Sequence, residues 1–189
     1  MLRLTGGEFR GRAIETPKGE HTRPTQSKLR QALFNSLQTR IAGATVLDLF
    51  AGSGALGFEA LSRGADQVTF VESVKPVAKL IQKNAQTLGV QDKAAILTRD
   101  VEELLGVGGF SGGPFDIVLA DPPYIEGWEL KLLERFPWES CLSVGGVFSL
   151  EWGIQKSVPA SLPDELPFLV KVREKNYGDS VLTTYQRRG

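Results

Sequence analysis

The chain holds one cysteine, one histidine and one methionine in 189 residues. Cys141 alone excludes an internal disulfide framework or a thiolate cage, and His21 alone excludes a His-rich zinc site. A membrane helix needs about 20 consecutive apolar residues, and no such run occurs. Met1-Leu2-Arg3-Leu4-Thr5 begins no secretory signal, so the expected location is cytoplasmic. Net charge is absent too, because 22 basic side chains balance 22 acidic ones. That balance hides an asymmetry. Residues 1–40 carry Arg3, Arg10, Arg12, Lys18, Arg23, Lys28, Arg30 and Arg40 against Glu8, Glu15 and Glu20, a net of +5 that leaves −5 for residues 41–189. A basic arm on an acidic body suits a protein that meets phosphates with one part and holds a cation or small ligand with another.

With 41% apolar and 23% charged side chains, the length fits one compact domain with a small extension. Residues 1–40 read as the extension. Short runs at Leu2–Leu4 and Arg12–Glu15 around Gly6-Gly7 and Gly11 predict a β-hairpin carrying Arg10 and Arg12. Thr25 or Ser27 can then cap a helix whose apolar positions are Leu29, Ala32, Leu33 and Leu37, leaving Lys28 and Arg30 off the stripe. Residues 41–189 change period. Apolar runs at 46–50, 68–72, 94–97, 115–120 and 146–150 alternate with amphipathic segments, two of which (55–63 and 74–88) stop at Gly64 and Gly89. Such alternation predicts a doubly wound α/β sheet covered on both faces. Segments 166–175 and 181–188 around Tyr177-Gly178-Asp179 predict an antiparallel hairpin at one sheet edge, and the glycine-rich 106–113 predicts a surface loop.

Gly52-Ser53-Gly54-Ala55-Leu56-Gly57 fits G-x-G-x-x-G, follows a strand and opens a helix. By spacing alone it could serve a nicotinamide or flavin dinucleotide. Asp48, four residues before the first glycine, argues against a pyrophosphate, which a carboxylate would repel at that helix start. A ligand bearing an ammonium and a sulfonium would be attracted, which points to S-adenosylmethionine. Glu72 ends the next strand, where it can accept bonds from ribose hydroxyls, and Asp100 follows the third, where it can accept from an adenine amino group. The expected cofactor set is Asp48, Phe50, Ala51, Gly52, Ser53, Gly54, Glu72, Asp100 and Val101.

Asp121-Pro122-Pro123-Tyr124 follows the fourth predicted strand. Two prolines exclude helix and ladder there and leave carbonyls without the usual partners. These residues suit methyl transfer to an exocyclic amine of a nucleobase, whose lone pair is delocalised into the ring. The Asp121 carboxylate and the Pro122 carbonyl can accept the amine hydrogens and disperse developing positive charge, while Tyr124 stacks on the base for about 1–3 kcal/mol. The expected phosphate contacts are Arg10, Arg12, Arg23, Lys28 and Arg30. His21 reads as a surface or RNA-facing residue, Trp128, Trp138 and Trp152 as packing residues, and Cys141 as buried and inert.

The chain resembles the bacterial small-subunit (16S) ribosomal RNA guanine-N2 methyltransferases of the RsmD type over nearly its whole length. Phe9-Arg10-Gly11-Arg12, Thr22-Arg23-Pro24-Thr25, Ala32-Leu33-Phe34-Asn35, the run Val46 to Gly57, Asp121-Pro122-Pro123-Tyr124 and Glu174-Lys175-Asn176-Tyr177-Gly178 are similar to that family's landmarks. After Thr25 the family shows an acidic then a basic residue, where this chain has Gln26-Ser27-Lys28. The resemblance implies a seven-stranded Rossmann-like fold and methylation of one guanine N2 in the rRNA of an assembling small subunit, without metal. Two alternatives stand beside it. An adenine-N6 methyltransferase of DNA or RNA would label adenine and spare guanine, and a non-catalytic cofactor-binding assembly factor would bind particles without turnover.

Overall fold

The computed structural model describes residues 1–19, 24–106, 110, 112–124, 126–154 and 161–189. His21 and Arg23 lie outside the described residues, as do residues 107–109 and 111 of the expected glycine loop. The chain divides into two compact units, residues 1–100 and 101–189.

In the first unit β1 (Leu2–Arg3) and β2 (Ala13–Ile14) form the expected hairpin, only two residues to a strand. The helix α1 (Pro24–Ser36) starts at a proline, whose fixed φ suits a first turn. Then β3 (Thr45–Leu49), α2 (Ala55–Ser62), β4 (Gln67–Val71), α3 (Lys75–Leu88) and β5 (Ala94–Leu97) alternate as the period predicts. The three strands are parallel in the order β5-β4-β3, with Asp48 opposite Phe70 and Val71 opposite Leu97. Strands buried on both faces read as continuous apolar runs, and Val46, Leu47 and Leu49 are indeed fully buried. Helix α3 buries Ala78, Ile81, Asn84, Ala85 and Leu88 and stops at Gly89, whose φ of 74° needs no Cβ.

The amino-terminal segment is fastened into this unit. Thr5 donates to Glu59 from its amide (2.9 Å) and its hydroxyl (2.7 Å). Glu8 N–H meets the Ser62 carbonyl at 2.7 Å, and Phe9 N–H meets Ser62 Oγ at 2.9 Å. Gly7 makes the approach possible, since a Cβ there would stand 1.8 Å from the Ser62 carbonyl oxygen.

The second unit contains β6 (Phe115–Ala120), α4 (Trp128–Arg135), the single turn α5 (Trp138–Cys141), β7 (Leu142–Gly153), β8 (Leu169–Tyr177) and β9 (Ser180–Arg187). Its strand order is β6-β7-β9-β8; β6 and β7 are parallel, while β9 runs antiparallel to both of its neighbours. The expected hairpin therefore forms, and β9 rather than β8 pairs with β7. Strand β7 is longer than the apolar run 146–150, because β9 pairs with it from Val147 to Gly153. Trp128, Trp138, Trp152 and Cys141 are buried as packing residues.

Candidate active site

The chain leaves β3 through a tight turn. Phe50 adopts φ 59°, a left-handed conformation costing a branched or bulky residue about 1–3 kcal/mol, and Gly52 and Gly54 follow at φ 53° and 82°. Ala51 N–H bonds the Val71 carbonyl at 2.9 Å and Gly54 N–H bonds the Ala51 carbonyl at 2.7 Å, which pins the turn against β4. The glycines serve different ends. Among the described residues a Cβ on Gly52 would meet nothing nearer than the Phe50 carbonyl at 4.0 Å, which leaves the loop open there to a ligand. A Cβ on Gly57 would stand 2.1 Å from the Phe70 ring, so that glycine lets α2 pack on β4.

The two carboxylates at the strand tips brace this loop, a role not read from the sequence. Buried Asp48 accepts Gly57 N–H on Oδ2 at 2.9 Å. Its Oδ1 is buried with no partner among the described residues. Burial pushes the Asp48 carboxyl up to about 7; the Gly57 N–H pulls it back and the charge of Glu72 raises it further. Glu72 accepts Gly52 N–H on Oε2 at 3.0 Å and Val74 N–H on Oε1 at 2.8 Å. Each carboxylate oxygen retains a further acceptor lobe. A buried, unpaired acceptor beside an open glycine turn fits a cationic ligand such as S-adenosylmethionine. A pyrophosphate would press more negative charge on a carboxylate already driven toward neutrality. Asp100 is exposed three residues past β5, and Val101 is buried at the start of a 3₁₀ turn, Val101–Leu104, in the second unit. No cluster able to hold a metal occurs among the described residues.

In the second unit β6 ends at buried Ala120 and delivers Asp121 exposed, Pro122 buried, Pro123 exposed and Tyr124 half-buried. The Tyr124 hydroxyl donates to Glu151 Oε1 on β7 in a short contact and lies 3.0 Å from Ser180 Oγ at the start of β9. A Cβ on Gly153 would stand 2.7 Å from the Tyr124 ring, so that glycine forms its seat. Burial raises the Tyr124 phenol above its ordinary value, with the Glu151 bond adding to it, and burial also raises the Glu151 carboxyl. Sequence reasoning missed Glu151, Ser180 and Gly153. An acid directly after the run Val147–Leu150 is the signal that singled out Glu72, and it could have found Glu151.

The predicted arm divides. Arg10 and Lys28 are exposed. Arg12 is exposed but occupied: it donates to the Thr87 carbonyl at 2.6 Å and the Leu88 carbonyl at 3.4 Å, capping α3, and lies 5.4 Å from the Phe9 ring centroid. Arg30 is corrected. It is 4% exposed and bonds Glu59 at 3.3 Å and the Arg3 carbonyl at 3.0 Å, so it faces no phosphate. The reason is its helical position, since Arg30, Leu33, Phe34 and Leu37 recur at i, i+3, i+4 and i+7, on the buried stripe.

Comparison with known proteins gives concordant results. The family model described as Conserved hypothetical protein 95 matches residues 2–186. The Ribosomal RNA small subunit methyltransferase D of Escherichia coli (strain K12) is 34% identical over 99% of this chain and 90% of its own length. The solved structure of the Escherichia coli protein named as methyltransferase yhhF is 33% identical, covers 99% of this chain and 98% of that one, and superposes with a TM-score of 0.84. A ribosomal protein L11 methylase from Lactobacillus delbrueckii, 17% identical over 95% of this chain and 88% of that one with a TM-score of 0.69, shares the fold alone. The fold is the seven-stranded, Rossmann-like methyltransferase sheet.

Proposed function

This chain belongs to the Conserved hypothetical protein 95 family, that of the RsmD-type methyltransferases, and from that membership we propose that it methylates the exocyclic N2 amine of one guanine in 16S rRNA, acting on the assembling small subunit in the cytoplasm. The observation that carries the reading at the site is the braced glycine turn, in which one buried oxygen of Asp48 has no partner among the described residues. S-adenosylmethionine, when bound, supplies an electrophilic methyl on a sulfonium. Asp48, Gly52, Gly54 and Glu72 hold it, and Asp100 bounds its adenine side.

On the second unit, Asp121 and the Pro122 carbonyl accept the two hydrogens of the target amine. This turns the nitrogen lone pair outward and offsets the charge that develops as the nitrogen becomes tetrahedral. Tyr124, fixed through Glu151 and Ser180, offers its ring to the base. The aromatic amine needs no base of near-neutral pKa, since methylation itself acidifies its N–H. A target inside structured RNA must be splayed out to reach Asp121.

The test is genetic and chemical. Methylated nucleotides in total ribosomal RNA are mapped by mass spectrometry in cells with the gene deleted, and again with it restored. One guanine should lose and regain an N2 methyl. Loss of an adenine N6 methyl instead, or no change in any nucleotide, would overturn the reading.

A further inference from the structure

Building on the RNA-methylating reading above, we infer that the groove between α3 and β5 is a second RNA surface, one that receives the sugar-phosphate backbone rather than bases. The groove has a volume of about 660 Å³, and its lining includes Lys75, Lys79, Gln82, Gln86 and Thr98 over the Ile96 side chain. Among the described residues no carboxylate and no aromatic ring lines it. Cations and amides without an aromatic platform recognise phosphate and ribose oxygens and offer nothing on which a base could stack.

The charge is local. Helix α3 reads Lys-Pro-Val-Ala-Lys-Leu-Ile-Gln-Lys-Asn-Ala-Gln-Thr-Leu, three lysines and no acid, within a body whose net charge is −5. Lys75 and Lys79 are exposed one turn apart, about 5–6 Å between Cβ atoms, and neither has an ion-pair partner among the described residues. Lys83 differs, since it bonds Glu15 at 2.6 Å. A cation at the first helical position opposes the helix dipole, and α3 has no acid in its first turn to offset it. Helix stability therefore does not account for Lys75.

Position supplies the rest. Lys75 follows Glu72 by three residues and Thr98 precedes Asp100 by two, so the groove opens at the strand-tip edge that carries those acids. At the other end of α3, Arg12 caps the Thr87 and Leu88 carbonyls, and Arg10 is exposed on the same hairpin. An RNA strand lying along α3 would meet Arg10 on the hairpin and then Lys79 and Lys75 on the helix. Strand β5 is an edge in the order β5-β4-β3, so a peptide adding to that edge is the competing occupant. The lysines favour the polyanion.

The test uses the full chain and immature small subunits purified from cells lacking the gene. Relative to wild type, the double variant Lys75→Ala/Lys79→Ala should bind these particles about tenfold more weakly. The dependence of log affinity on log salt should be shallower by about 1–2. Its affinity for S-adenosylmethionine by calorimetry should stay within twofold, which shows the unit folded. A photo-cross-linking residue introduced at Gln82 should capture RNA. Wild-type particle binding with an unaltered double variant overturns the groove alone, as does capture of protein without RNA. A wild type that neither binds the particles nor methylates them overturns the functional reading, and the groove with it.

Discussion

Asn84 pairs with Glu15 through both edges of its amide: Oδ1 accepts the Glu15 N–H at 2.9 Å and Nδ2 donates to the Glu15 carbonyl at 2.9 Å. The side chain thus imitates a neighbouring strand at the end of the amino-terminal hairpin. Its Nδ2 also lies 3.4 Å from the Ser53 carbonyl, so one buried amide joins the hairpin to the cofactor turn. Asn84→Ala should cost about 2–4 kcal/mol in urea denaturation, because it leaves polar groups of both segments unpaired. It should also weaken S-adenosylmethionine binding severalfold by calorimetry. Unchanged cofactor affinity in a measurably destabilised variant would sever the link between hairpin and turn.

Much of this was legible in the sequence, because local physics decided it. Parallel strands advertise themselves as apolar runs, and Gly52 to Gly57 bring their own turn chemistry. What escaped depends on partners distant in sequence. Arg30 looked like a surface cation because nothing near it announces Glu59, which receives Arg30, Arg63 and both donors of Thr5 while fully buried. Glu151 and Ser180 escaped for the same reason, standing 27 and 56 residues from the tyrosine they hold. The sequence marks Asp48 as a ligand contact, and the structure adds that one of its two carboxylate oxygens is spent on Gly57.

Gly57→Ala tests the packing of α2 on β4. Phe70 is fully buried and its ring would lie 2.1 Å from the new methyl, so the ring or the helix must move. Overpacking of this kind costs about 1–3 kcal/mol. A second change, Phe70→Leu, should restore part of the loss, and thermal denaturation of the single and double variants measures both. Additive losses would mean that the clash is relieved elsewhere.

Asp48 gives cofactor binding a pH dependence. Its carboxyl sits at about 7 in the folded chain against an ordinary 3.8, so ionising it costs on the order of 4 kcal/mol more than in water. The folded state binds the proton more tightly. This group's stabilising contribution is therefore present below about pH 4 and is lost as pH rises toward 7. The stability margin of wild type over Asp48→Asn should shrink across that window. A cationic ligand favours the ionised form, so S-adenosylmethionine affinity should rise between pH 5.5 and 7.5 with proton release. Calorimetry in buffers of different ionisation enthalpy measures that release, and Asp48→Asn should abolish it.

Asp121 is exposed at the end of β6. Asp121→Ala should lower turnover by two or more orders of magnitude and leave cofactor affinity within a few-fold, because its contact is with the nucleophile. Methyl transfer to small subunits from deletion cells, measured beside calorimetry of the cofactor, separates the two. Parallel loss of both would reassign the residue to cofactor binding.

Glu151 acts through Tyr124, and its raised carboxyl makes that testable by pH. While Glu151 is ionised it accepts a charge-assisted bond from the Tyr124 hydroxyl; once protonated it accepts more weakly, and the ring loses part of its anchor. Turnover should therefore fall on the acid side at a pH above the ordinary glutamate range. Glu151→Gln keeps an acceptor of the same shape but cannot titrate, so it should retain turnover within about tenfold and lose that acid limb. Glu151→Ala removes the carboxylate from the Tyr124 hydroxyl and should lower kcat about a hundredfold with little change in KM, because a misaimed ring spoils the near-attack geometry more than the encounter. An acid limb that persists in Glu151→Gln would assign the titration to another group.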